Sequence, residues 1–253
     1  MLKSIERRLR PYFKSLRTKR PRKTFDLYAD GLGVKGKNLS PILAPDFADA
    51  WQFAHDGNIE AWRGAVPDIR WRALTCCWAA RHALTIEGDF VECGVNTGIL
   101  SMTVCRNLQF EKIDRRFFLF DTFDGIPASG LKGAEKALAD DINGRLYFDC
   151  FDMASRNFSA YPNAILVRGL LPESIGTAPE RIAYLSIDLN SETFERQTID
   201  ALWPRLTAGA VVVIDDYGFA AHEAQFHMWN AFAAEKGTAV LMMPTGQGLL
   251  LKS

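Results

Sequence analysis

Histidine is scarce, paired cysteine motifs are absent and the charges cancel. The 253 residues include four histidines and five cysteines, and 30 basic side chains face 30 acidic ones. The cysteines (Cys76, Cys77, Cys93, Cys105, Cys150) are odd in number, form no C-x-x-C pair and lie mostly in apolar surroundings. That pattern argues against a disulfide framework and a zinc centre, and for buried thiols in a reducing cytoplasm. No apolar run approaches the ~18 residues of a membrane span. The N-terminus has the positive charge of a secretory signal but lacks its apolar middle, so the expected location is cytoplasmic, at most peripheral at the inner membrane surface. Neither the dinucleotide fingerprint G-x-G-x-x-G nor a phosphate cradle ending in Gly-Lys-Ser/Thr is present. There is no internal repeat and no long low-complexity segment. A chain of 28.3 kDa suffices for one large α/β domain, or a domain with a cap, around a substantial core.

What is present begins with Val91-Glu92-Cys93-Gly94-Val95-Asn96-Thr97-Gly98. An apolar strand runs into a glycine-containing turn that opens a helix, and such a junction forms a nucleotide-sized crevice at the carboxyl end of the strand. Gly94 and Gly98 let the backbone approach a ligand closely. Glu92 would repel a pyrophosphate but suits a ligand with a cationic amino group, such as S-adenosylmethionine (SAM). The next strand, Arg116-Phe117-Phe118-Leu119-Phe120-Asp121, also ends in an acid. An acid at a second strand tip, about 20–30 residues after the first turn, is placed for ribose hydroxyls. Asp121 fits that role, and Asp124 is expected to stabilise the turn before Gly125.

Two further strands finish in acids. Tyr184-Leu185-Ser186-Ile187-Asp188-Leu189-Asn190 is one, and Val211-Val212-Val213-Ile214-Asp215-Asp216-Tyr217-Gly218 is the other. If these strands are sheet neighbours, Asp188, Asp215 and Asp216 converge on one point. Clustered carboxylates repel one another unless a cation neutralises them or one takes a proton. An all-oxygen set of this kind suits Mg²⁺, Mn²⁺ or Ca²⁺ better than zinc. The competing expectation is that one acid caps a helix and another pairs with an arginine.

The organisation follows from periodicity. Residues 1–24 form a basic amphipathic arm and linker, with ten Lys or Arg against one acid up to residue 23, which leaves the remaining chain acidic. The arm reads first as a solvated arm or oligomer contact, next as a weak membrane-surface contact, and last as a nucleic-acid contact, which is not expected because the lid and strand ends are acidic or neutral. Residues 25–86 are expected to form a helical cap whose Trp51, Trp62, Trp71 and Trp78 belong mainly to its core. Residues 87–253 alternate strand and helix in the manner of a parallel sheet. Strands are expected at 89–95, 116–122, 164–168, 182–189 and 210–216, helices near 98–108, 150–160, 192–206 and 222–236, and a closing antiparallel pair at 239–243 and 248–252. The stretch 124–149 reads as a long lid loop.

Glu92-Cys93-Gly94-Val95, Asp121-Thr122-Phe123-Asp124-Gly125, Leu185-Ser186-Ile187-Asp188 and Ile214-Asp215-Asp216-Tyr217-Gly218, in this order, resemble the macrocin-type (TylF-like) O-methyltransferases over about residues 85–253. The resemblance implies a Rossmann-like class I methyltransferase fold: α/β, with a seven-stranded, mostly parallel sheet of order 3-2-1-4-5-7-6 and helices on both faces. It implies SAM and Mg²⁺ (or Mn²⁺) as cofactors, and methylation of a hydroxyl on a sugar, glycan or glycosylated secondary metabolite. The implied metal ligands are Asp188, Asp215 and Asp216. The implied cofactor contacts are Glu92, Gly94, Asn96, Gly98, Asp121, Thr122, Phe123, Arg168, Gly169 and Asp188. The chain departs from the sugar-modifying pattern at Asn190, where those enzymes usually carry Asp. Together with Gly246-Gln247-Gly248, this resembles a less characterised branch.

Methyl transfer to a hydroxyl requires a proton acceptor. Asp188 is one candidate, and His222, at the start of the helix after Asp216, is the other. Tyr217 is placed to border the acceptor pocket, and Phe151 and Asp152 the adenine. Two other classes stay open on the residues alone: a metal-dependent hydrolase using the same acids, and a SAM-fold binding or scaffold protein without turnover.

Overall fold

The computed structural model describes residues 25–145 and 147–253. The basic amphipathic segment and linker read over residues 1–24 lie outside them. Elements are numbered within the described residues.

The chain enters through a small antiparallel hairpin, β1 (Leu27–Ala29) and β2 (Leu32–Val34). Its two-residue turn is Asp30-Gly31, with φ of 52° and 74°. Positive φ at both positions gives the twist that a tight hairpin needs, and Asp-Gly tolerates it. Three helices follow: α1 (Ser40–Leu43), α2 (Pro45–Gly57) and α3 (Arg70–Ala83). Proline begins α2, where a missing N–H costs nothing.

Then the alternation of strand and helix sets in, as expected: β3 (Asp89–Cys93), α4 (Ile99–Leu108), β4 (Phe117–Asp121), α5 (Gly133–Arg145), α6 (Phe151–Asn157), β5 (Ala164–Arg168), β6 (Ile182–Ile187), α7 (Glu192–Leu202), β7 (Leu206–Ile214), α8 (Glu223–Glu235), β8 (Leu241–Met242) and β9 (Gly248–Leu251). The main sheet has the order β5-β4-β3-β6-β7-β9-β8. Counted from β3 this is 3-2-1-4-5-7-6, with only β9 and β8 joined antiparallel. The fold is α/β and Rossmann-like.

The strand sequences show why both faces are covered. Central parallel strands read as unbroken apolar runs because helices flank each side. In β4, Phe117 and Leu119 face one cluster while Phe118 and Phe120 face the other. In β7, Val211 and Val213 divide from Val212 and Ile214 in the same way. The first face is closed by α2, α3 and α4 through Trp51, Cys76, Ala80, Met102 and Val104. The second is closed by α7 and α8 through Ile199, Leu202, Trp229 and Phe232. All five cysteines are buried and free. Among the described residues no helix is long and apolar enough to cross a membrane.

The stretch 124–149 is not the open loop that its composition indicates. It contains a 3-10 turn, Ala128–Gly130, and the helix α5. The helix shows little periodicity because it buries only Ala139 and Ile142, against Ile126, Leu131 and Phe194. Alanine-rich propensity and the i,i+4 pairs Lys136–Asp140 and Arg145–Asp141 sustain it instead. Strand β7 also begins earlier than its apolar run, at Leu206, with a register irregularity against β6 near Ile182. The preceding α-helix stops at Leu202 and passes into a 3-10 turn, Trp203–Arg205, since Pro204 has no N–H to extend the helical ladder.

Candidate functional site

The carboxyl ends of β3, β4, β6 and β7 open into one cavity. Its floor is the turn after β3. The Gly94 N–H donates to Phe120 O at 2.8 Å, and Asp188 N–H donates to Cys93 O at 2.8 Å, so the three strand tips are laced together. Gly94 has φ 89°, and a Cβ there would lie 1.8 Å from Asp188 O. Only glycine fits this crossing.

Asp121 organises the turn from the neighbouring strand. Its Oδ2 accepts the backbone N–H groups of Val95 (2.6 Å) and Asn96 (2.7 Å), and its Oδ1 accepts that of Phe123 (2.6 Å). Asn96 (φ 51°) and Phe123 (φ 54°) both adopt the left-handed region. For a ring as bulky as Phe123 this is an outlier, and strained backbone of this kind gathers at functional sites. Its ring is buried against Phe151 at 5.2 Å. The turn before Gly125 is fastened by Thr122 and not by Asp124. The Thr122 hydroxyl donates to Gly125 O at 2.6 Å and accepts from Asp124 N–H at 3.3 Å, while Asp124 itself is exposed.

Glu92 is 3 % exposed, and its Oε2 has no hydrogen-bond partner. Burial pushes its carboxyl up to about 8; the neighbouring Ser101 hydroxyl opposes the shift, and the charges of Asp215 and Asp121 add to it. The sign of the linkage follows. A carboxyl raised from 4.5 to about 8 on folding holds its proton longer in the folded chain, so stability falls as pH rises through that window. The melting temperature of the ligand-free protein should therefore drop between pH 5 and pH 8, and Glu92→Gln should flatten that slope. Thermal melts across the range check this; an unchanged slope in the variant would place the titrating group elsewhere.

Asp188, Asp215 and Asp216 each bring an oxygen within 4.8 Å of the others. Asp188 sits half-buried at the cavity wall, with Asp215 and Asp216 behind it. Burial, and then the charges of Asp215 and Asp216, hold the Asp188 carboxyl well above the usual carboxylate range, and Arg72 offsets this only in part. Asp216 is raised likewise, by burial first and then by Asp215 and Glu195. Asp215 Oδ2 accepts Arg72 Nη1 at 2.6 Å, and its Oδ1 accepts Gln247 Nε2 at 2.9 Å. Asp188 Oδ1 accepts Asn190 Nδ2 at 3.0 Å. Asp216 Oδ2 is buried with no hydrogen-bond partner. Three hard oxygen donors with one orphaned oxygen fit a divalent cation of the Mg²⁺ or Mn²⁺ kind. The expected arginine pairing is present as well, at Asp215.

The remaining site residues divide. Thr122, Gly169 and Leu170 line the cavity, as do Trp62 and Pro67 from the stretch between α2 and α3. Gly98 lies outside the lining; it starts α4 at φ 91° and makes room for Phe158, whose ring would lie 2.4 Å from a Cβ there. Arg168 points away from the cavity, since it is exposed, pairs with Asp149 at 2.8 Å and lies over Phe151. Tyr217 is core, with its hydroxyl donating to Asn230 at 3.1 Å. His222 precedes α8 as expected, but its Nδ1 meets Gln225 Oε1 at 2.5 Å and stands 3.8 Å from Asp216 Oδ2. Burial lowers its pKa, against the hydrogen bond with Gln225. It does not line the cavity.

This arrangement has relatives. The macrocin-O-methyltransferase (TylF) family matches residues 64–243. The chain belongs to that family. The match runs from the middle of the segment between α2 and α3 through β8, and so takes in the glycine turn and all three acids. Among curated proteins, the mycinamicin III 3''-O-methyltransferase of Micromonospora griseorubida is 27 % identical over 157 residues, which is 57 % of this chain and 61 % of that protein. The demethyldecarbamoylnovobiocin O-methyltransferase of Streptomyces niveus is 26 % identical over 140 residues, covering 52 % and 53 %. The aligned region thus spans between half and two thirds of the length of these relatives. Among solved structures, the O-methyltransferase NovP superposes with a TM-score of 0.67 at 18 % identity, covering 82 % of this chain and 98 % of that one. The shared architecture is that of this family's fold.

Proposed function

We propose that the protein is a SAM-dependent O-methyltransferase, assisted by Mg²⁺ or Mn²⁺, that methylates a hydroxyl of a sugar, glycan or glycosylated secondary metabolite. One observation carries the reading: buried Glu92, with an unpaired oxygen, and the three converging aspartates share one cavity at the strand tips. An acidic cavity matches a cofactor bearing an ammonium and a sulfonium. The acceptor class follows the relatives, whose names place methyl groups on the mycinamicin and novobiocin scaffolds.

When bound, the cofactor supplies an electrophilic methyl group and the divalent ion a Lewis acid that lowers the pKa of a hydroxyl. The chain's own residues do the rest. Glu92 holds the ammonium end, and Asp121 presents carboxylate lone pairs to ribose hydroxyls while it fixes the turn. Asp188, Asp215 and Asp216 would hold the ion beside the acceptor hydroxyl, and such alignment supplies rate. Asp188 would accept the proton that the acceptor hydroxyl gives up on methylation. It faces the cavity, whereas the His222 ring is turned to Gln225 behind the acids. Trp62 and Pro67 close the acceptor side and limit water.

Calorimetric titration with S-adenosylhomocysteine (SAH), with and without Mg²⁺, tests the cofactor. A dissociation constant in roughly the micromolar range is expected. Absence of SAH binding, with divalent-ion binding intact, would return the protein to the metal-dependent hydrolases.

A further inference from the structure

Arg72 stands where three parts of the chain meet. It projects from the first turn of α3, donates through Nη1 to Asp215 Oδ2 at 2.6 Å and through Nε to Asp30 Oδ2 at 3.0 Å, and lies 5.3 Å from the centre of the Phe219 ring. Asp30 sits in the β1–β2 turn, with its side chain 10 % exposed. Among the described residues that line the cavity, Arg72 is the one basic side chain, set against Glu92, Asp121, Asp188, Asp215 and Asp216. The opposing pulls on it are visible in its acidity: burial works against the charge, and Asp215 and Asp30 outweigh burial, so its pKa is raised.

We propose that Arg72 is a resident counterion of the aspartate triad. It offsets the triad's charge in the ion-free protein and keeps Asp215 oriented, and Asp30 sets how far its charge is drawn away from the triad. The inference rests on the reading of Asp188, Asp215 and Asp216 as divalent-ion ligands. The physical basis is the guanidinium fork. Its several N–H donors bridge two carboxylates at once, a geometry that an ammonium does not reproduce. Three clustered carboxylates need an internal cation, a bound one or a proton, and the two cations act on the same carboxylates. Arg72 and the divalent ion are then competitors, and the hairpin turn carrying Asp30 becomes part of the site although it lies outside the family-matched region.

The competition fixes the sign of two opposite effects. Arg72→Gln removes the resident cation, so Mn²⁺ affinity of the full chain rises at least about tenfold. The melting temperature of the ion-free protein falls, and the rise caused by Mn²⁺ becomes larger. Asp30→Asn leaves the guanidinium wholly to Asp215, so Mn²⁺ binding weakens by roughly 3- to 10-fold. Asparagine tolerates the left-handed turn as aspartate does, so the hairpin is kept. Asp68→Asn is the control. It makes the same charge change, but Asp68 is paired with Arg70 at 2.7 Å, so Mn²⁺ affinity stays at the wild-type value.

Titration of each purified protein with Mn²⁺, followed by electron paramagnetic resonance of the free ion, reads all three. The inference is overturned if Arg72→Gln binds Mn²⁺ no more tightly than wild type, if Asp30→Asn binds it no more weakly, or if Asp68→Asn shifts affinity as much as Asp30→Asn. Should Arg72→Gln fail to fold, Asp30→Asn and Asp68→Asn decide the question. Wild-type protein that binds SAH but no Mn²⁺ would reject the divalent-ion reading itself, and this inference with it. Wild-type binding with unmoved variants rejects this inference alone.

Discussion

Asp215→Ala is expected to abolish tight Mn²⁺ binding and to lower turnover roughly 10²- to 10³-fold, while SAH affinity stays within about threefold. Asp215 lies beyond the glycine turn proposed to carry the cofactor, so the cofactor side is left standing. Its carboxylate is 2 % exposed and takes donors on both oxygens, Arg72 on one and Gln247 on the other. Removal of the side chain deletes one of the proposed ion ligands and leaves Arg72 with Asp30 alone, an additional cost to stability of about 3 kcal/mol, as for a broken buried pair. Mn²⁺ titration, SAH calorimetry and methyl transfer from labelled SAM to an accepted glycoside separate the three terms. Mn²⁺ affinity equal to wild type would remove Asp215 from the ligand set.

Gly94→Ala should cause the largest loss on the cofactor side. The added methyl would meet Asp188 O at 1.8 Å, a contact with backbone and not with a side chain that can swing away. The φ of 89° adds strain for any residue with a Cβ. The strand tips must separate, which disturbs the Gly94–Phe120 and Asp188–Cys93 hydrogen bonds together. A loss of about 3 kcal/mol or more in stability is expected, with SAH binding weakened beyond about a hundredfold. Urea unfolding and SAH titration measure the two effects. A variant that folds and binds SAH as wild type does would show that the turn is looser than the geometry requires.

The parts legible in the sequence are those with a local signature. Buried parallel strands ending in acids announce both their direction and their tips, so Glu92, Asp121, Asp188, Asp215 and Asp216 were all readable, and so was the strand order once the family resemblance was recognised. Contacts between distant segments leave no such mark. Arg72 is one of several arginines near a helix start, and its partners lie 42 and 143 residues away. Gln247 reaches Asp215 only because β9 returns antiparallel beside β7. The outward turn of Arg168 is hidden from the sequence for a different reason. The residue ends the edge strand β5, and there its side chain turns outward to Asp149 over Phe151. The α5 helix was missed because its stability comes from propensity and surface pairs, and neither produces an apolar stripe.

The helices of residues 25–86 carry a lesson for recombination. Phe47, Trp51 and Ala54 of α2, and Cys76 and Ala80 of α3, share one apolar cluster with Phe90 and Phe117 of the sheet and Val104 of α4. Asn58 at the end of α2 accepts a hydrogen bond from the Thr97 hydroxyl in the glycine turn after β3. This segment is therefore not an interchangeable module. A chimera that grafts a relative's N-terminal helices onto this sheet would import a mismatched half of the interior, and a change of acceptor preference is better sought by exchanging single cavity-facing side chains such as Trp62.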